Sequence, residues 1–293
     1  FRRSRGLGDV YKRQIEEVSK DRVYVSGCRG SSPTNTHKVC INLAGGYRNG
    51  MEFILTGIDI EEKAKIITDA LFNSVGGKEQ FDEVSILLDR TDKKDPNSNE
   101  EAMASLRISV KSKDPDLVGR MFTAKMIELA LANYPGFFTG GGVRSGGPVL
   151  VYWPALIDSK HIKETVHVDG KEIDVIPTNQ LDLEETYYQK QPVEIPPPPS
   201  GETLNKPLGE IFGARSGDKG GCANIGVWAK NENAFSFLNN YLTVEKIKEL
   251  MPDISKFEID RYELPNILSL NFYIHDILED GVSSNTRKDG QAK

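Results

Sequence analysis

Residues Met51–Gly77 read M-E-F-I-L-T-G-I-D-I-E-E-K-A-K-I-I-T-D-A-L-F-N-S-V-G-G. Met51, Phe53 and Leu55 alternate with other residues, as a strand with one buried face does. After Gly57 the period changes. Asp59 and Glu62 stand at capping-box spacing. Ile66, Ile67, Ala70, Leu71 and Val75 then recur as one helical face, and Gly76-Gly77 stops it. The next strand is predicted at Val84, Ile86 and Leu88. A polar loop leads to another at Leu106, Ile108 and Val110. A second helix is predicted from Asp114 as N-cap and Pro115 as first residue, where a missing N–H costs little. Its buried stripe is Leu117, Met121, Met126 and Leu129, widened by Val118, Phe122 and Ala130. It ends at Tyr134-Pro135-Gly136, and a strand follows around Val149 to Trp153. The order β-α-β-β-α-β is that of a ferredoxin-like split βαβ unit. Upstream, Val23 and Val25, then Val39, Ile41 and Leu43, alternate as half-buried strands, and Asp169-Gly170 is a hairpin turn.

Downstream, residues 189–200 read Q-K-Q-P-V-E-I-P-P-P-P-S, with four consecutive prolines that favour an extended spacer. The segment beyond repeats the mixed style. Strands are predicted at Gly209–Ala214, Ala223–Trp228, from Phe257 and Ile259, and at Leu268, Leu270, Phe272 and Ile274. Thr243 caps a short helix, and Asp289–Lys293 would open another. The expected fold class is α+β, with a ferredoxin-like arrangement in both segments and a Pro-rich linker between them.

At the start, Asp9–Gln14 reads D-V-Y-K-R-Q, which the end of a common transposase library adapter encodes. Residues 1–14 are therefore set apart as an adapter-derived scar. They hold five Lys or Arg and one Asp, a contribution of +4. The whole chain carries −6, so residues 15–293 carry −6 − 4 = −10. An acidic chain without a basic stripe is not expected to bind nucleic acid. No apolar run approaches the roughly 20 residues that span a bilayer. Cys28, Cys40 and Cys222 are odd in number and far apart, which points to reduced cysteines and a cytoplasmic protein. The expected division is 15–185, a linker at 186–206, and 207–293, with both chain ends cut short.

The chemistry-bearing segment is Ala214–Gly226, A-R-S-G-D-K-G-G-C-A-N-I-G, predicted as a Gly-rich loop between strands. Arg215 and Lys219 would hold a phosphate or carboxylate, and consecutive N–H groups could form an anion nest. Ser216 and Asn224 would hydrogen-bond the ligand or fix the loop. Asp218 and Lys219 are the acid/base candidates. The alternative is a tight hairpin with Asp218 and Lys219 solvated. Two lesser clusters are Gly27–Lys38 with Gly45-Gly46-Tyr47-Arg48, basic and Gly-rich, and Asn133–Gly136 with Tyr152-Trp153-Pro154, aromatics that could line an apolar pocket. His37, His161, His167 and His275 show no metal spacing, so no metal is expected, and no cofactor is assigned.

The run at Arg215–Trp228, together with R-Y-E-L-P-N-I at Arg261–Ile267, L-N-F at Leu270–Phe272 and the closing D-G-Q-A-K, resembles the C-terminal ferredoxin-fold domain of the acyclic terpene utilisation (AtuA-like) family. V-S-G-C-R-G, N-L-A-G-G-Y-R-N, L-T-G-I-D-I-E-E-K-A, Y-P-G-F and Y-W-P-A-L resemble the later part of that family's main domain. Cys222 stands where the family pattern has an acidic residue. The resemblance implies a place in citronellol and geraniol breakdown through acyl-CoA intermediates, alongside acyl-CoA carboxylases. It leaves two readings open. One is an enzyme acting on a branched-chain or terpenoid acyl-CoA. The other is a non-catalytic binding or scaffold subunit associated with a carboxylase. Acyl-CoA or terpenoid carboxylate ligands and carboxylase subunits are the implied partners, and an oligomer is compatible with either reading.

Overall fold

The structure is a computed structural model that describes residues 14–26, 34–132, 134–142, 145–175, 194–202 and 204–293. Residues 1–13 of the expected scar, the Gly27–Gly30 stretch, Asn133 and residues 186–193 of the expected linker lie outside the described residues. Glu194 to Glu202 form neither helix nor strand. The fold is mixed α+β. Its elements are β1 (Gln14–Ser19), β2 (Arg22–Ser26), β3 (Thr36–Thr56), α1 (Ile60–Ser74), β4 (Glu83–Asp89), β5 (Met103–Ser112), α2 (Pro115–Val118), α3 (Arg120–Leu131), β6 (Phe137–Thr139) and β7 (Gly147–Asp158). Then come β8 (Thr165–Val168), β9 (Lys171–Asp174), α4 (Leu208–Ile211), β10 (Gly213–Lys219), β11 (Cys222–Trp228), α5 (Glu232–Tyr241), α6 (Val244–Leu250), β12 (Ile259–Leu264) and β13 (Ser269–Ile274).

One compact unit comprises residues 42–152 with 283–288. Its sheet has the order β4-β5-β3-β6, with β7 also paired to β3. The β3–β5 and β4–β5 pairs are antiparallel. The alternation read from the sequence holds where it meets helices: Phe53, Leu55, Leu106, Ile108 and Val110 are buried in one core with Phe72, Phe81 and Phe122. Val84 and Leu88 of the predicted strand pack against this core, while Ile86 between them is 40% exposed.

The helix faces differ from expectation. Asp59 occupies the N-cap position of α1 in a left-handed conformation (φ 58°) and makes no side-chain cap, so the expected capping box does not form. The buried stripe is Ile60, Ala64, Ile67, Thr68, Leu71 and Phe72, while Ile66 faces solvent. Asp114 does cap α2, accepting from Asp116 N at 2.9 Å. Gly119 (φ −80°, ψ −136°) then breaks the helix, and α3 restarts in a new phase. This turns Phe122, Thr123 and Met126 inward and leaves Met121 64% exposed.

The other unit comprises residues 1–41, 153–282 and 289–293. It holds the hairpins β1-β2 and β8-β9 and a four-stranded antiparallel sheet of order β10-β11-β13-β12. Val23 and Val25 on β2 are exposed, not half-buried. The β8-β9 turn is Asp169-Gly170 as expected, both at positive φ. Leu208–Ile211 is a short helix where a strand was expected, and α5 was not predicted at all. Asn231 caps α5 and Thr243 caps α6 through side-chain oxygens. Phe235, Leu238 and Ile247 from these helices pack on Ala223, Leu270, Phe272 and Ile274. Asp289–Lys293 forms a turn and no helix.

Candidate functional site

The Ala214–Gly226 segment is not a long loop. It is a hairpin in which β10 and β11 pair throughout, from Gly213–Trp228 to Lys219–Cys222, leaving Gly220-Gly221 as a two-residue turn. Gly220 adopts φ +70°, which glycine reaches without steric cost. Gly221 is packed: its carbonyl accepts from Leu278 N at 2.9 Å, and a Cβ there would overlap the Glu279 carbonyl. Both glycines of the turn thus have a structural role.

Because side chains alternate across a strand, the hairpin separates the five predicted site residues. Arg215, Lys219 and Asn224 lie on one face. Ser216 and Asp218 lie on the opposite face, on the side of the helices. Arg215 and Lys219 are exposed, and Lys219 Nζ donates to the Asp218 carbonyl at 2.9 Å. Asn224 Nδ2 donates to Asn271 Oδ1 at 3.1 Å. Strand register fills out the face that these three share. One cross-strand row is Arg215, Gly226, Asn271 and Tyr262; the next is Gly217, Asn224, Tyr273 and Asp260. Beyond it, His275 N donates to the Glu258 carbonyl at 3.0 Å and continues the pairing. The face therefore runs from two cations on the β10 edge to two carboxylates on the β12 edge. Arg261 points the other way: it donates to the Asn239 and Leu242 carbonyls near the end of α5 and pairs with Glu263 at 2.8 Å. It is a helix-end clamp.

A cleft of about 490 Å³ lies in the unit built from 42–152 and 283–288. It opens on the side of the sheet away from the helices. There Arg48, Gly50 and Glu52 of β3 sit beside Arg107 and Ser109 of β5. Gly50 is the floor, and a Cβ there would come within 2.8 Å of the Ile108 carbonyl. Gly140–Gly142 form one rim, and Asn285, Thr286 and Arg287 another. Arg48 Nη1 donates to the Asn285 carbonyl and Arg107 Nη2 to the Thr286 carbonyl, each at 2.8 Å. Each guanidinium carries five N–H donors, and these bonds hold it by one of them. Glu52 is the one carboxylate among the described lining residues, and Ser105 Oγ donates to it. Arg48 and Arg107 beside Glu52 give the described lining more positive than negative charge, and guanidinium groups suit carboxylate or phosphate geometry. The sequence reading had set Arg48 in its second cluster. It missed Arg107 and Arg287, which no local motif marks.

The aromatic cluster is partly realised. Tyr134 and Pro135 line a groove with Ile58 and Ile66, while Tyr152 and Trp153 are not part of it. Tyr134 donates to the Lys63 carbonyl at 2.6 Å, and burial pushes its phenol up to about 12.

Residues 206–293 match the AtuA ferredoxin-like domain, and residues 7–168 match the family described as acyclic terpene utilisation family protein AtuA. The chain belongs to the AtuA family. No curated protein and no solved structure matches it. In this AtuA-family chain the hairpin and its sheet face lie within the ferredoxin-like match. The arginine cleft draws Arg48 and Arg107 from the first match and Arg287 from the second. No helix among the described residues is long and apolar enough to cross a membrane.

Proposed function

We propose that this AtuA-family protein serves acyclic terpene or branched-chain acyl-CoA catabolism by holding an anionic acyl intermediate, with the carboxylate or phosphate of that intermediate in the arginine cleft. The observation that carries this is the cleft's charge: Arg48 and Arg107 stand beside one carboxylate, Glu52, among the described lining residues, in a volume within the ~300–1,000 Å³ usual for ligand sites. The sheet order β4-β5-β3-β6 supports reading this unit as a ferredoxin-like split βαβ, since β5 lies between β3 and β4. A second reading puts the anion on Arg215 and Lys219, with Asn224 beside them. It is favoured by their sharing one face of the ferredoxin-like domain.

The experiment is calorimetric titration of a geranyl-type CoA thioester into the wild type and the Arg107→Ala and Lys219→Ala variants, with melting temperatures recorded. A charge-assisted contact is worth about 1.5–3 kcal/mol, so losing one weakens binding roughly 10- to 100-fold. Arg107→Ala is expected to show that loss and Lys219→Ala is not. The reverse pattern would favour the sheet face. Unchanged binding in both variants would refute the two anion sites together.

A further inference from the structure

We propose that Glu258, Asp260 and His275 form a binding site for a divalent first-row transition cation, of which Zn²⁺ is the working example. This inference stands apart from the arginine cleft. One ligand atom from each of the three lies within 4.8 Å of the other two. His275 Nε2 is 2.9 Å from Asp260 Oδ2. Even a triangle with all sides at that limit has its centre about 2.8 Å from each corner. Zinc bonds of about 2.0–2.2 Å are thus reached by side-chain shifts of under about 1 Å.

Strand pairing fixes the arrangement. Glu258 and Asp260 are two residues apart at the start of β12, hence on one face. His275 is held opposite Glu258 by the bond from its N–H. Neighbouring side chains orient the ligand groups. Tyr262 donates its hydroxyl to Asp260 Oδ2 at 3.3 Å, and the Tyr273 ring meets the His275 imidazole edge-on with centroids 4.9 Å apart. Such partners fix ring and carboxylate orientation in metal sites.

The charge balance also points to a cation. Two carboxylates are brought together, and among the described residues neither is paired with a lysine or arginine. Two carboxylates held this close, with no lysine or arginine paired to them among the described residues, attract a divalent cation. One imidazole with two carboxylates is a donor set for first-row metals, softer than the all-oxygen sets of Ca²⁺ and Mg²⁺. On the same face, Asn224, Arg215 and Lys219 would stand across the sheet from the ion. The sequence expectation of no metal rested on histidine spacing along the chain, and pairing of β12 with β13 brings the three groups together without it.

The test is titration of chelator-stripped protein with Zn²⁺ by calorimetry and with Co²⁺ by visible absorption. Wild type is expected to bind one ion at this site with bands of nitrogen–oxygen coordination. His275→Ala and Glu258→Gln should each lower the affinity by at least about 10-fold. Glu258 is exposed, so its substitution keeps the fold and the test does not depend on His275→Ala being stable. A wild type that takes up no ion overturns the proposal, as do variants that bind as tightly as wild type. In either case the 2.9 Å contact between His275 and Asp260 is a side-chain hydrogen bond and nothing more.

Discussion

Gly221→Ala separates a structural from a ligand-binding role for the glycines of the R-S-G-D-K-G-G run. The new Cβ would overlap the Glu279 carbonyl, a main-chain atom that cannot rotate away. Relief requires the turn at residues 278–281 to move off the hairpin. That movement strains or breaks the bond from Leu278 N to the Gly221 carbonyl, now 2.9 Å. Overpacking costs about 1–3 kcal/mol, and the hydrogen bond is worth about 0.5–1.5 kcal/mol. The expected destabilisation is about 2–4 kcal/mol. Gly217→Ala is the control from the same run. Nothing lies within 4 Å of a Cβ there, so the change should be neutral or stabilise by about 0.4–1 kcal/mol through the unfolded chain. Urea unfolding followed by circular dichroism compares the two. A Gly221→Ala midpoint indistinguishable from that of Gly217→Ala would falsify the docking of the hairpin tip on Glu279.

Other outcomes follow from the first unit's core and its phenol. Phe122→Ala, at a fully buried ring 5.6 Å from Phe81, should cost about 3–5 kcal/mol in the same urea assay, whereas the exposed neighbour Met121→Ala should stay within about 0.5 kcal/mol; similar costs for both would contradict the phase of α3. Tyr134 has a folded pKa raised from 10.0 to about 12 by burial, so the folded state holds its proton longer than the unfolded state does. Its contribution is fully present below pH 10 and is lost as pH rises from 10 to about 12. Tyr134→Phe should flatten the fall in melting temperature across that window, and an equally steep fall would count against the buried phenol.

The sequence revealed most where one periodicity served one core. Phe53, Leu55, Leu106, Ile108 and Val110 read as alternating strands because helices cover only one side of their sheet. Helix phase was harder to read. Ile66 and Met121 are apolar yet exposed, so counting apolar residues shifted both stripes, and the break at Gly119 changed the phase again. The α5 sequence E-N-A-F-S-F-L-N-N-Y is rich in residues of modest helix propensity, and burial of Phe235 and Leu238 decides its state. The predicted site was legible as a sequence but not as a shape. Pairing of β10 with β11 puts Ser216 and Asp218 across the sheet from Arg215 and Lys219. Arg107 and Arg287 meet at the cleft from distant parts of the chain, and Asp260 and His275 meet across a strand pair. No short motif along the sequence marks either set.

The most direct measurement of the proposed function is a crystal structure of the protein with a geranyl-type CoA thioester. The account predicts phosphate oxygens of the CoA moiety within hydrogen-bond distance of Arg48 and Arg107, with Gly140–Gly142 along the ligand. A ligand seated on Arg215 and Lys219, with the cleft holding none of its anionic groups, would contradict it.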